Sequence, residues 1–420
     1  MGLSVKLRQW MPLALATASV AGPAAAADMP VKAVKQEQAA SAWTSTADID
    51  FRFFSWERTS GNPAGEPNQK GTQFYMPIGV STSGQLSEAW KLDLNARGGY
   101  VNTSRSADPG DGIYRSAGVG TTTDTVTGFT ITYLNMNGIV PFYSLNLNLP
   151  TGKSNLGGFQ PIARTDPDLV DIPAFGVGFN HAHTLGTNVA LAPNTVLTLS
   201  AGYTNRGAFD RDRGGFGLPA PGSERFSPGS NFALSAGLGT VLGALTLNGN
   251  VAASWDTPAT IDGVEVMKTG FNILLTGAGS YKWSDTQTST VNVSYAHTER
   301  NSIQGIFGPP LVPEAADSNS DIFSTNLEHR VTVSQVAQIF GRLGYLHRSA
   351  NSYDPATLTF VPAKDKVSVG GGARYALNDK MLLNGRIERF WVDEKPYPAN
   401  PTPEQKFEGW MVSLGTMVKF

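Results

Sequence analysis

The stretch that decides the fold is WMVSLGTMVKF, residues 410–420. Trp410, Val412, Leu414 and Val418 stand at every second position, and smaller or polar residues mostly separate them. A β-strand sends successive side chains to opposite faces, so this segment would have one apolar face as a strand. Phe420 continues the apolar face and is the final residue. The pattern predicts a strand that pairs over its full length up to that residue.

Composition narrows the class of protein. The 420 residues are 40% hydrophobic and only 16% charged, with 46 Gly and no Cys. Low charge with abundant Gly is unusual for a helical protein and favours strands. The formal net charge of -2 and the absence of a basic run predict no nucleic-acid partner. Without Cys the chain has neither disulfides nor a Cys-ligated metal site, and no cofactor is predicted.

The first residues have the pattern of a secretory signal. Lys6 and Arg8 form a positive region, an apolar stretch follows, and residues 25–27 are a small-residue cleavage site. No other run is long and apolar enough for a transmembrane helix, so a membrane role requires a β-barrel. The predicted organisation is a signal peptide at 1–27, a periplasmic linker at 28–46 and a single barrel domain at 47–420.

Apolar and polar residues alternate through the predicted domain, and the connections between strands alternate in length. A tight turn at 135–138, for example, is followed by a long loop at 151–173. Outer-membrane barrels have short periplasmic turns and long extracellular loops, whereas a soluble sandwich has no reason to sort its connections this way. The sequence predicts an all-β fold, a single transmembrane antiparallel up-and-down β-barrel of about 16 strands, with about 14 as the alternative.

Parity within the strands predicts which side chains face the interior, because the apolar parity of a membrane barrel faces lipid. Charges of the other parity fall on the first, third and last strands, which closure brings together, while the middle strands offer Asn, Ser and Thr. This charged wall would orient polar or anionic solutes. The alternative is that its ions pair only to fix the register. The predicted pore-lining residues are Asp50, Arg52, Lys91, Asp93, Arg97, Glu328, Arg330, Arg342, Arg374, Arg386 and Glu388.

The long loop after residue 150 is rich in charges and is predicted to fold inward as a constriction. Its Asp spacing lacks the Gly and the distal Glu of an EF-hand loop, so no metal site is predicted. A second charged loop, about Arg206 and Asp210, is predicted to be solvated. The candidate constriction residues are Lys153, Arg164, Asp166, Asp168 and Asp171.

Catalysis on lipid is an open alternative, because some outer-membrane barrels are enzymes. His181 and His183 stand two apart on one strand face, which suits a metal pair, but no third ligand is evident and we expect both at the periplasmic interface. His297, His329 and His347 share the apolar parity of their strands, where a water-activating base would be misplaced. No Ser with His and acidic partners is evident, so no catalytic residue is predicted.

Two stretches resemble known families. The strand ending on Phe420 resembles the final strand of Gram-negative outer-membrane β-barrels, which implies contact with the barrel-assembly machinery through that strand. The strand at 142–149, running into Pro150-Thr151-Gly152, is similar to a motif in outer-membrane channels associated with the meta-pathway of phenol degradation. That resemblance implies uptake of hydrophobic or aromatic compounds.

The sequence therefore predicts a channel in the outer membrane of a Gram-negative bacterium, exported through a cleaved signal peptide, for diffusion or facilitated uptake of small solutes. The expected partners are outer-membrane lipid, lipopolysaccharide, the assembly machinery and the solute, and a homotrimer is an open mode of assembly. The alternatives are a barrel enzyme acting on lipid and a surface or adhesin protein with a closed lumen.

Overall fold

A computed structural model of the chain describes residues 43–61, 68–108, 113–173, 175–212, 223–305, 308–357, 359–396 and 404–420. The predicted signal peptide and the predicted linker up to residue 42 lie outside these ranges. The first strand begins at Thr44, ahead of the barrel boundary predicted at residue 47. In the described part of the chain, no helix has the length and apolar character needed to cross a membrane.

Strands dominate the described residues, with one short 3-10 helix, η1 (Gln160–Ala163). The strands, in chain order, are β1 (Thr44–Ser60), β2 (Lys70–Ser87), β3 (Trp90–Ala107), β4 (Arg115–Thr122), β5 (Thr125–Tyr133), β6 (Ile139–Leu149), β7 (Asn180–Ala192), β8 (Thr195–Arg206), β9 (Phe209–Asp212), β10 (Ser223–Ser227), β11 (Asn231–Leu242), β12 (Leu245–Asp256), β13 (Ala259–Ile261), β14 (Val264–Lys268), β15 (Asn272–Lys282), β16 (Gln287–Thr298), β17 (Ser302–Gly305), β18 (Gly308–Pro313), β19 (Ile322–Thr332), β20 (Ala337–Arg348), β21 (Lys364–Asn378), β22 (Met381–Glu394) and β23 (Gln405–Lys419).

Most of these strands form one antiparallel sheet that closes when β1 pairs with β23, from Thr46 opposite Lys419 to Ser60 opposite Lys406. The strands β4 and β5 both pair with β3, one after the other, and are two parts of one barrel strand. The result is a closed up-and-down barrel of 16 strands in the described residues, which confirms the predicted fold class and strand number. The alternative of fewer strands is wrong.

A β-bulge separates β4 from β5. Thr122 pairs with Tyr100 and Val126 pairs with Arg97, so residues 123–125 lie opposite only Gly98 and Gly99. The extra residue bends the strand and gives one side chain a new direction. That side chain is Asp124, whose contacts are described with the functional site.

The outer face of the barrel is apolar. Leu343, Val412 and Leu414 are 50%, 46% and 59% exposed there, and such a continuous apolar surface on a closed sheet is suited to lipid. Aromatic rings lie at both margins of this surface. The rings nearest the short turns belong to Trp90, Tyr133, Tyr281 and Trp283, and those nearest the long loops belong to Tyr203, Trp255, Tyr345, Trp391 and Trp410.

The spacing of the two aromatic rows fits a bilayer. Trp255 stands near the loop end of β12, about ten residues from the β11–β12 turn. With a rise of ~3.3 Å per residue and a strand tilt of ~40°, ten residues span about 25 Å, the usual height of the apolar band of a membrane barrel. Tyr75 does not belong to either row, because it is buried on the inner face.

A second sheet continues the wall beyond the lipid band. Its six strands are β9, β10, β13, β14, β17 and β18, and each is joined to a barrel strand of β8 to β19. Residues predicted to form a solvated charged loop therefore pair across strands. Arg211 lies 2.6 Å from Glu224 and stacks over the Phe226 ring, and Arg225 lies 3.3 Å from Asp210. These strands have only three to six residues, too few for a clear alternating pattern.

Two adjacent residues of β16 test the assignment of faces. Val291 is 41% exposed on the outer face, while Asn292 faces inward opposite Asn326 and Ala278. We expect Val291→Arg to lower the free energy of unfolding in phospholipid vesicles by about 2–4 kcal/mol, because it places a charge in lipid near the middle of the band. Denaturant titration measures the change. Asn292→Arg is the control and should cost far less; equal losses would contradict the assigned faces.

Candidate functional site

Residues 150–173 and 175–179, between β6 and β7, fold into the barrel, and we call this segment the inward loop. Val170 is fully buried, and Leu156, Leu169 and Phe175 are at most 5% exposed. Full burial of one such side chain contributes ~1.5–3 kcal/mol, so these contacts hold the loop firmly. The partners of Leu169 and Val170 on β1, β22 and β23 are Phe54, Trp56, Phe390, Val392, Phe407 and Met411. The partners of Leu156, Ala163 and Phe175 on β2, β3 and β4 are Tyr75, Val101 and Val119.

Asp124 in the β-bulge joins the two ends of the inward loop. Its carboxylate accepts hydrogen bonds from the backbone N–H groups of Gly152, at 2.9 Å, and Val177, at 2.8 Å. The Asn148 amide donates the third hydrogen bond to Asp124 at 2.7 Å and donates its other hydrogen to the Gly178 carbonyl. Hydrogen bonds to a charged acceptor are stronger than neutral ones. The bulge thus closes the base of the loop.

An ionic cluster holds the middle of the inward loop against β20, β21 and β22. The Lys364 ammonium forms an ion pair with Asp166 and lies 3.9 Å from Asp168 and 3.6 Å from Glu394. The Arg348 guanidinium binds Asp168 at 2.9 Å. Burial alone would raise the pKa of Asp166, but the charge and hydrogen bond of Lys364 outweigh it and hold that pKa below its ordinary value. Two of the predicted constriction residues therefore fasten the loop.

The other predicted constriction residues have different surroundings. Lys153 donates a hydrogen bond to Gln160 within the loop at 2.7 Å, and Asp171 is exposed. Arg164 lies 3.6 Å from Asp212 of β9, which also accepts a hydrogen bond from the Leu156 N–H. Burial lowers the pKa of Arg164 and raises the pKa of Asp212, because attraction across 3.6 Å does not offset their desolvation. Asp212 ties the inward loop to the second sheet.

The predicted pore-lining residues all lie on strand positions of the inner parity, and most are ion-paired. Glu328 binds Arg330 at 2.6 Å and lies 3.9 Å from Arg374. Arg342 donates a hydrogen bond to Asn326 at 3.1 Å, and Arg386 contacts the Met411 sulfur at 3.7 Å. The other inner pairs are Arg52 with Asp50, Lys91 with Asp93, and Arg97 with Asp48, while Glu388 stands on the same face.

Away from the ends of its strands, the opposite wall of the barrel is uncharged over β8, β11, β12, β15 and β16, and we call it the neutral wall. Its charges lie at strand ends, where Arg206 pairs with Asp256 at 2.9 Å and Lys282 ends β15. Hydroxyl and amide groups pair there across neighbouring strands, as in Ser200 with Ser235 at 2.7 Å and Thr198 with Asn188 at 2.7 Å. The contacts of the inward loop that the structure shows fall on the other half of the wall, from β20 through β23 to β4, and on β9. The neutral wall therefore faces the loop across the lumen.

The histidines lie on the outer face. His183 contacts the Tyr143 hydroxyl at 2.7 Å and His181 at 3.1 Å. The prediction that this pair lies at the periplasmic end is wrong, because β7 starts at Asn180, directly after the inward loop, and runs toward the short turns. His297 and His347 bind Asp321 and Asp365 near the same margin. Over the described ranges, no three metal-ligating side chains come together.

Sequence reasoning missed Asp124 and Asp212. Asp124 lies in the Thr-rich stretch TTTDTVT, residues 121–127. That stretch has no feature of a binding site. Its importance arises from the bulge, which only the pairing of β3 with β4 and β5 creates. Asp212 lies within the charged run 210–213 of a predicted loop, and its role depends on a second sheet that the sequence did not indicate.

No protein-family model matches the chain, and no curated protein matches it. Several solved structures are similar to this chain. An outer membrane channel from Pseudomonas putida F1 is 10% identical with a TM-score of 0.40, covering 92% of this chain and 98% of that chain. A BenF-like porin from Pseudomonas fluorescens Pf-5 is 12% identical with a TM-score of 0.43, covering 90% and 99%. The P. putida toluene transporter TodX is 13% identical with a TM-score of 0.41, covering 91% and 91%. At these values the neighbours carry no information on the solute.

The role of Asp124 can be tested by hydrogen exchange in detergent micelles. In Asp124→Asn an amide N–H would replace one acceptor oxygen, and we expect the amides of Gly152 and Val177 to exchange about 10–100 times faster, the equivalent of ~1.5–3 kcal/mol. Asp285→Asn, in the exposed β15–β16 turn, is the matched control and should leave the loop unchanged. Unaltered exchange in Asp124→Asn would show that apolar packing alone holds the base.

Proposed function

We propose that the chain is an outer-membrane diffusion channel, in which small solutes pass between the inward loop and the neutral wall. The observation that carries this proposal is the one-sided docking of the loop, which covers half of the inner wall and narrows the lumen. In the proposed orientation the short turns face the periplasm, where the described termini of β1 and β23 also lie. A barrel of this size encloses more space than its own side chains fill.

The charge on the inner wall favours anions. In the predicted pore-lining set, cations outnumber carboxylates, and Arg342 and Arg386 contact neutral partners. Exposed ion pairs contribute only ~0–1 kcal/mol each, so pairing for register alone does not account for the excess of guanidinium groups. An Arg-rich lining raises the local concentration of anions.

Polar and anionic solutes fit this lining better than hydrocarbons. The large apolar side chains of the inner face, among them Trp56, Phe390 and Met411, are covered by Leu169 and Val170 of the inward loop. The surface left for a solute is rich in Asn, Ser, Thr and Arg. An aromatic carboxylate would satisfy this lining and agree with the uptake of aromatic compounds that the sequence resemblance implies.

Ion selectivity tests the charged wall. We expect the triple variant Arg330→Gln, Arg374→Gln and Arg386→Gln to lower the chloride-to-potassium permeability ratio about two- to fivefold, because it removes positive charge from the lumen. Reversal potentials across planar bilayers under a salt gradient measure the ratio. Arg225→Gln in the second sheet is the control and should have little effect. A triple variant with unchanged selectivity would remove the charged wall from the mechanism.

The Asp166–Lys364 pair predicts a response to acid. Because the pKa of Asp166 is lowered, its contribution to loop docking is complete above the ordinary carboxyl pKa of ~3.9 and is lost as the pH falls through the lower, folded-state pKa. Asp168, Glu394 and Arg348 surround the same pair. We expect steady conductance from pH 7 to 5 and larger, flickering steps below about pH 4.

Asp166→Asn should show those larger steps already at pH 7 and respond less to acid. Asp321→Asn, which changes a carboxylate on the outer face, is the control and should behave as the unchanged chain does. Identical step sizes for Asp166→Asn and the unchanged chain at pH 7 would contradict the role of this ionic cluster in docking.

A further inference from the structure

A groove crosses the outer face over β19, β20 and β21. Gly341 of β20 lies in its floor and pairs with Gly371 of β21, and a Cβ added at Gly341 would meet no atom within 4 Å. The groove has a volume of about 490 Å³. Its outward-facing side chains are Leu327, His329, Val331, Ile339, Leu343 and Val369.

One end of the groove is polar. The His329 Nδ1 lies 2.9 Å from the Ser289 hydroxyl oxygen, which accepts a hydrogen bond from the Trp283 indole N–H at 2.8 Å. The Ser289 hydroxyl accepts from the indole with one lone pair and still has its own hydrogen to donate to His329 Nδ1. The His329 tautomer that fits this chain carries its proton on Nε2, where it is available to an outside acceptor.

The groove rises from this polar end into the lipid band. Ser289, His329, Gly341 and Gly371 are partners in one row across four strands. Ser289 is two residues from the turn end of β16, whereas Gly371 is seven residues from the turn end of β21. The Gly371 end of the row therefore lies about 13 Å farther from the short turns than the Ser289 end. The row extends from the aromatic rings near the short turns, which include Trp283, to near the middle of the lipid-facing apolar band.

We propose that this groove binds one glycerophospholipid of the leaflet on the side of the short turns. One acyl chain lies over Gly341 and Gly371, and the His329 Nε2–H donates to an ester or phosphate oxygen at the interface. The inference rests on the membrane placement of the proposed function, but not on conduction. The groove is apolar and has a polar group at the level of the interfacial aromatic rings. A phospholipid is complementary to it, because the lipid is apolar along its acyl chains and accepts hydrogen bonds at its ester oxygens.

Native mass spectrometry of the detergent-solubilised full chain with palmitoyl-oleoyl phosphatidylethanolamine tests the site. Gly341→Leu fills the groove, and we expect its apparent lipid affinity to fall at least about tenfold. Gly249→Leu is the matched control, because Gly249 is an outward strand glycine on β12 that also has no atom within 4 Å of an added Cβ. His329→Phe keeps the groove and removes the donor, so its affinity should fall by a smaller factor.

Heat-dependent migration in gels verifies that each variant is folded. Equal retention by Gly341→Leu and the unchanged chain would overturn the site, and so would equal loss in Gly249→Leu. Selective retention of lipopolysaccharide would overturn the choice of leaflet, and a dimer or trimer abolished by Gly341→Leu would make the groove a protein interface. Release of fatty acid from the bound lipid would make Ser289 and His329 a catalytic pair instead.

Single-channel conductance separates failure of the lipid site from failure of the channel proposal, because substitutions in an outer groove should not alter conductance.

Discussion

Closure of the sheet is the constraint on which the rest of the structure depends. Lipid offers no hydrogen-bond partner to a backbone N–H or C=O group, so each barrel strand must pair on both sides. The pairing of β1 with β23 meets this need for the two strands that would otherwise be edges. Because side chains alternate, closure in one register also assigns every side chain to lipid or lumen, and a slip by one residue would exchange the two sets.

The interior of the barrel combines apolar and charged contacts that depend on each other. Phe54, Trp56 and Phe390 would face water in an empty lumen, and the inward loop removes them from it. The same fold of the loop buries Asp168 and half-buries Asp166, and Arg348 and Lys364 on the wall behind them stabilise the two charges. Apolar burial provides most of the attraction, and the ion pairs select one docked position.

Asymmetry of the lumen follows from where the loop leaves the barrel. The loop starts after β6, is closed at its base by Asp124 and extends along the inner face as far as β20. The bulge at residues 123–125 costs the sheet a regular pairing and turns Asp124 toward the loop. A local irregularity in one strand therefore helps to hold a loop that packs on the apolar side chains of one half of the inner wall, opposite the neutral wall.

Strand alternation and loop length are local properties of the chain, and they predicted the barrel, its number of about 16 strands and the inner parity of the candidate pore-lining residues. The sequence also predicted that the segment from Lys153 to Asp171 folds inward, but it did not predict which wall residues that segment contacts. Only the tertiary structure decided that Asp166 meets Lys364, that Asp124 closes the loop, and that His181 lies toward the long loops. These features join residues far apart in the chain, or they depend on strand direction and register. The alternation of side chains along one strand is local, so it cannot predict them.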